Sequence, residues 1–258
     1  MTKAMRAEVS DAARLAERGP PAGPAVMYQD WRELLFLHWA VDPDLVAATL
    51  PPGLSVDTFE GRAWIGVVPF FMRRVRPRFC PPVPGISNFL ELNLRTYAVD
   101  ARGRPGVWFY SLETSHRLPV AVARTFVHLN YRWARMAGTA KDGVCRYGAE
   151  RRLRGGWDAP QQFAWCRSGP AAEVAPGSLA FFLVERYRLF AWSARKRRLY
   201  SGRVRHAPYP VGNADVKAWS GRLFSLNGFA APGRPPDSVL ASAGVRVSVH
   251  PLERLTVG

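Results

Sequence analysis

The chain has 258 residues, 48% of them hydrophobic, which is enough apolar mass for a folded core and excludes a disordered polymer. Its formal net charge is +16, carried almost wholly by arginine, since lysine stands only at Lys3, Lys141, Lys196 and Lys217. The longest apolar runs, such as Trp64 to Met72, are about half a membrane span, no secretory apolar region opens the chain, and Cys80, Cys145 and Cys166 have neither zinc nor disulfide-framework spacing.

These features predict a soluble cytoplasmic protein with reduced thiols, and no metal, cofactor or membrane partner. The basic charge raises the question of nucleic acid. The arginines, however, are dispersed (Arg62, Arg73, Arg78, Arg102, Arg135, Arg151, Arg203, Arg222), with no aromatic ladder or recognition motif beside them. A solvated basic surface is expected, with no specific nucleic-acid partner. A homo-oligomer stays open.

In chain order, residues 1–27 read as an N-terminal tail. A short helix fits Ala4 to Arg18, and Gly19 to Pro24 breaks it. One domain is expected over 28–258. Trp31 to Val41 is a strand. Asp42-Pro43 caps a helix that stops at Pro51-Pro52-Gly53. Leu54 to Phe59 and Arg62 to Val75 are strands around the turn Glu60-Gly61. Arg76 to Ser87 is a loop. Phe89 to Val99 alternates, with Leu90, Leu92 and Leu94 on one face and Glu91, Asn93 and Arg95 on the other. Val107 to Glu113 returns as a strand, and Leu118 to Val127 fits a short buried helix. Strands follow near Tyr131–Met136, Val144–Leu153 and Gln162–Arg167. A helix opens at Gly177-Ser178 and ends near Val184. Strands at Arg186–Trp192, Arg198–His206 and Val245–His250 complete the chain. The fold class is α+β, mainly an antiparallel β-barrel or cone-shaped sheet with a few short helices and a ligand mouth.

Three islands carry a resemblance: Arg32 to Asp57, Phe89 to Arg95, and Val122 to Arg132. Together they resemble the framework of the acetoacetate decarboxylase-like superfamily. Within it, the chain is more similar to the YqjF-like family (domain of unknown function 2071). It shares W-x-x-L-L-F-L-H-W from Trp31, V-P-F from Val68, the long motif from Val83 to Tyr97, and E-R-Y-R-L from Glu185. The resemblance implies active-site roles for Arg32, Glu91 and Arg124. It also sets Asn130-Tyr131-Arg132 where the decarboxylase carries Pro-Lys-Lys with its Schiff-base lysine. Imine chemistry needs a neutral amine, which neither tyrosine nor arginine supplies.

The candidate catalytic residues are therefore Glu91 and Tyr131. The candidate substrate-binding residues are Arg32, Arg95, Arg124 and His116. Each has a plainer reading beside the functional one. Glu91, Asn93 and Arg95 are a polar barrel interior or an ordinary solvent face. Arg32 and Arg124 clamp a carboxylate or pair with structural glutamates. Tyr131 polarises a carbonyl or is an amphipathic strand residue. His116 and His128 are acid–base candidates, whereas His38 reads as a core histidine. Glu185 and Arg186 read as an ion pair with each other, and Arg195 to Arg198 as a soluble hairpin tip. The expected ligand is a small carboxylate or carbonyl compound, bound or converted without a Schiff base. The alternative is a non-catalytic ligand-binding or scaffold protein. Arg32, Glu91, Arg124 and Tyr131 are expected to converge on one cavity, with Glu91 coupled to an arginine.

Overall fold

The computed structural model of the protein describes residues 6–116 and 128–256. The helix expected over 118–127 lies outside the described residues, as does Arg124. The first half comprises β1 (Arg6–Ala7), α1 (Asp11–Ala16), β2 (Met27–Val41), α2 (Pro43–Ala47), β3 (Leu54–Asp57), β4 (Ala63–Pro77), β5 (Phe89–Asp100) and β6 (Pro105–Thr114). The second comprises β7 (Tyr131–Lys141), β8 (Val144–Leu153), β9 (Gly156–Trp157), β10 (Gln161–Ala172), α3 (Leu179–Val184), β11 (Arg188–Ser193), β12 (Arg198–Arg205), β13 (Val211–Ala218), α4 (Arg222–Leu226) and β14 (Ser238–Arg254).

The strands form one mostly antiparallel sheet in the order β1-β3-β5-β4-β2-β14-β12-β11-β6-β7-β8-β10-β13. Two further pairings, β5 with β6 and β14 with β13, close it into two circuits that share β14, β12, β11 and β6. The expected cone-shaped antiparallel sheet with few short helices is thus what forms. Closure removes the exposed edges that so long a sheet would otherwise present. Strands such as β2 are buried on both faces. In β2, Leu35, Leu37 and Trp39 enter one core with Leu92, Leu94, Tyr147 and Trp165. Leu34 and Phe36 enter the other with Phe70, Tyr97, Phe182 and Leu183. This is why Leu34 to Leu37 reads as an unbroken hydrophobic run rather than an alternating one.

Close approaches fix the register. Gly244 sits at φ +127, and a Cβ there would lie 2.0 Å from the Trp31 carbonyl oxygen. No other residue type lets β14 run against β2 at that point. Local caps follow the sequence closely. The Asp42 carboxylate accepts from Asp44 N at 2.8 Å ahead of α2, and Ser178 Oγ accepts from Phe181 N at 3.1 Å ahead of α3.

Residues 6–26, expected as a tail, do not hang free. The helix in that stretch is shorter than expected, and α1 is docked by charge. Arg14 donates twice to the Asp57 carboxylate, at 2.7 and 2.8 Å, and Arg186 donates to the same carboxylate at 2.7 Å. Asp57 is fully buried, and both guanidiniums also lie over the Phe182 ring. Glu17 accepts two bonds from Arg188 at 3.0 and 3.1 Å. Glu185 and Arg186 do not pair with each other as expected. Their side chains leave on different errands: Glu185 accepts from Arg18 and from Tyr209 N, while Arg186 reaches Asp57. A missing carboxylate would leave two buried cations uncompensated. Asp57→Asn is therefore expected to lower unfolding stability by ~3–5 kcal/mol, measured by chemical denaturation.

Candidate functional site

β5 carries Glu91 on the face that looks away from Leu90, Leu92 and Leu94. That face is not solvated: Glu91 is 4% exposed and Asn93 3%. Glu91 lies opposite Phe70 on β4 and Thr114 on β6. The Tyr131 hydroxyl, at the start of β7, donates to Glu91 Oε2 at 2.9 Å. Burial drives the Glu91 carboxyl from its ordinary range up to about 7. Hydrogen bonds from Tyr131 and Asn93 pull it partly back down, and the nearby Glu113 charge adds to the rise. Burial and the same carboxylate push the Tyr131 phenol well above its usual value, so it stays a proton donor at neutral pH. The Asn93 Oδ1 is buried without a hydrogen-bond partner. A carboxyl that titrates near neutrality beside a fixed phenol is acid–base equipment.

Neither Arg32 nor Arg95 supplies the coupling to Glu91 expected from the sequence, because both are engaged elsewhere, and Arg124 lies outside the described residues. Arg95 is buried, donates to the Leu183 carbonyl at 3.1 Å, and lies over Phe36 and Tyr97. Arg32 shares a row with Phe71 and Leu90, on the opposite face of the sheet from Glu91. It is 43% exposed and faces Asp30 at 3.5 Å. His116 is spent on the Gly85 carbonyl, with Nε2 2.7 Å away, and lies beside the Phe89 ring. The structure therefore brings together Glu91, Asn93 and Tyr131, and engages Arg32, Arg95 and His116 with other partners. Arg124 belongs to the stretch joining Thr114 to Tyr131, the two residues that flank Glu91.

Of the histidines, His38 is the buried core residue expected, 2.6 Å from the Tyr97 hydroxyl, with its ring held neutral by burial and by Arg95 and Arg186. His128 is half-buried beside Tyr200, its pKa lowered by burial and by Lys196. A second polar cluster escaped the sequence reading. Arg151 Nε donates to Glu113 at 2.6 Å and its Nη2 to Ser111 Oγ at 2.7 Å, while Asn227 Nδ2 donates to the same hydroxyl at 3.0 Å. The signal for it was alternation in β8, where Arg151 falls in phase with the buried Cys145, Tyr147 and Ala149. Two clefts of the described surface hold about 610 and about 900 Å³, and neither of these is lined by Glu91 or Tyr131. Among the described residues, no three His, Cys, Asp or Glu side chains are grouped to hold a metal ion, and no helix is long and apolar enough to cross a membrane.

The family model DUF2071, described as an uncharacterized conserved protein, matches residues 28–246. The chain belongs to this family. The uncharacterized protein YqjF of Bacillus subtilis (strain 168) is 35% identical over 216 residues, 84% of this chain and 87% of the relative. Among solved structures, the enduracididine biosynthesis enzyme MppR complexed with pyruvate superposes with TM-score 0.59 at 16% identity, covering 92% of this chain and 93% of its own. An acetoacetate decarboxylase-like enzyme from Sphingomonas wittichii RW1 gives 0.58 at 13% identity, covering 92% and 95%. The acetoacetate decarboxylase of Legionella pneumophila gives 0.57 at 15% identity, covering 93% and 94%. At these identities the likeness is one of fold, and the fold is the acetoacetate decarboxylase-like one.

The native protein keeps the Glu91 proton up to about pH 7, whereas an unfolded glutamate releases it near 4.5. Between those values the native state binds more protons, so stability falls as pH rises through the window and stays at its lower level above it. Glu91→Gln removes that cost. The variant should gain up to ~3 kcal/mol at pH 8 and nothing at pH 4 in chemical denaturation. A loss at both pH values would mean that a cation holds Glu91 after all.

Proposed function

We propose that Glu91 and Tyr131 form the acid–base pair of a small-molecule site for a carbonyl or carboxylate compound, acting by proton transfer without an imine. The observation that carries this reading is the buried hydrogen bond between them, with a carboxyl tuned to neutrality. Glu91, once deprotonated, takes a proton from the carbon next to a carbonyl. Tyr131, freed from Glu91 as substrate enters, donates its hydroxyl to the developing enolate oxygen. Asn93 steadies the carboxyl between its two protonation states. Arg124 is the arginine assigned to a ligand carboxylate, because its stretch of chain joins the two residues flanking Glu91. Arg32, Arg95 and His116 have no part in it, being committed to other contacts.

The lysines support the exclusion of Schiff-base chemistry. Lys141, Lys196 and Lys217 are all exposed, and Lys217 is paired with Asp215 at 2.7 Å. A nucleophilic lysine needs desolvation or a neighbouring cation to lose its proton, and an exposed position supplies no desolvation. Pyruvate, the compound bound by the MppR structure, is the natural first probe.

Two measurements test the proposal. In D₂O, the protein should accelerate loss of the pyruvate methyl proton signal above the buffer rate, with the rate rising to a plateau above pH 7. Glu91→Gln should abolish the acceleration, and Tyr131→Phe should slow it by roughly 10²-fold. Saturable binding with no exchange would instead favour a ligand-binding protein that keeps the fold without turnover. Neither binding nor exchange across a panel of 2-oxo acids would end the proposal. Separately, acetoacetate with borohydride should add no mass to the folded protein, and an adduct on any lysine would restore imine chemistry.

A further inference from the structure

Arginines far apart in sequence gather at one cleft of about 610 Å³. The register shows how. Arg76 on β4 lies opposite Tyr28 on β2, Tyr28 opposite Ser248 on β14, and Ser248 opposite Arg205 on β12. Directly paired residues share a sheet face, so one row across four strands presents an arginine at each end. In the next row Arg246 lies opposite Asp30. Arg74 enters through a bulge: between the pairs Tyr28–Arg76 and Asp30–Arg73, β4 has two residues where β2 has one. Arg74 takes φ +51, a conformation disfavoured for a residue with a Cβ, and its N–H is held by Asn88 Oδ1 at 3.0 Å. Such bulges re-aim side chains, and this one adds Arg74 to the lining of the cleft.

The charge there is uncompensated. Among the described residues, Arg74, Arg76, Arg205 and Arg246 have no carboxylate within ion-pair reach. Arg76 lies over the Tyr28 ring at 4.7 Å. Asp30, the one carboxylate in the lining, faces Arg32, and Arg18 at the margin is already paired with Glu185. Strands spaced ~4.8 Å apart set the two ends of the row ~14 Å from each other at the backbone. A single phosphate cannot reach both ends, but arginine forks closing over a chain of phosphates can.

We infer that this cleft binds a small molecule bearing a di- or triphosphate group through Arg74, Arg76, Arg205 and Arg246. Calorimetric titration in roughly 150 mM salt with inorganic phosphate, pyrophosphate and tripolyphosphate tests it. Affinity should climb by about tenfold or more from phosphate to tripolyphosphate, since each added phosphate engages another arginine. The double variant Arg205→Gln/Arg246→Gln should weaken tripolyphosphate binding by a similar factor. Both side chains are exposed and unpaired, so its thermal midpoint without ligand should match the parent. A control pair on the hairpin tip, Arg195→Gln/Arg198→Gln, should leave binding unchanged, as should Glu91→Gln, which separates this site from the proposed acid–base pair. Equal affinity for the three anions, or equal loss in the control pair, would reduce the effect to net charge and overturn the inference. A DNA duplex of about 20 base pairs that binds more tightly than tripolyphosphate, and fails only in the cleft variant, would overturn the small-molecule assignment in favour of nucleic acid.

Discussion

Strand β5 is buried on both faces from end to end, and that double burial sets the terms for what surrounds it. A strand with one wet face can carry any polar residue there at little cost. β5 has no wet face, so each polar side chain on it must find a partner or change its protonation state. Arg95 finds a backbone carbonyl and two aromatic faces. Thr96 donates to the Trp64 carbonyl at 2.8 Å. Glu91 finds a phenol and an amide, and it answers burial by holding its proton to near-neutral pH. The chemistry proposed for this protein thus follows from burial, which leaves a carboxyl titrating near neutrality inside the sheet.

The strands were legible because their signals are local. Asp42-Pro43 and Ser178 cap helices where expected, and the strand from Val144 to Leu153 has the expected bounds. Other elements were missed. In β13 the alternation of Asn213, Asp215 and Lys217 with Ala214, Val216 and Ala218 was there to be read, whereas α4 is short and the first half of β14 is rich in serine and alanine. The face assignment of β5 was underdetermined for a different reason. Alternation states that two faces differ; it does not state whether the polar one meets water or a second core. Only closure of the sheet into two circuits decides that, and closure is a long-range property.

The candidate site was legible in the same partial way. Glu91 and Tyr131 meet because β5, β6 and β7 are neighbours in the sheet. Arg32 does not join them, because it is held in a row with Phe71 and Leu90 and therefore looks out from the other face. An ordered sequence resemblance preserves the strand on which a residue sits more faithfully than the partners it finds there. The charged clasp on Asp57 makes the same point. Arg14, Asp57 and Arg186 are separated by 43 and 129 residues, and no local pattern could pair them.

The pairing of β2 with β14 has a consequence for how the protein comes to exist. β2 ends at Val41 and β14 begins at Ser238, yet they form one of the longest ladders in the sheet. While the chain is being synthesised, β2 waits as an unpaired hydrophobic strand on its β14 side until β14, far along the chain, has left the ribosome. Contacts of such sequence separation slow folding and leave aggregation-prone edges open in the meantime. The protein should therefore depend on holding chaperones during its birth far more than its finished, largely closed sheet would suggest.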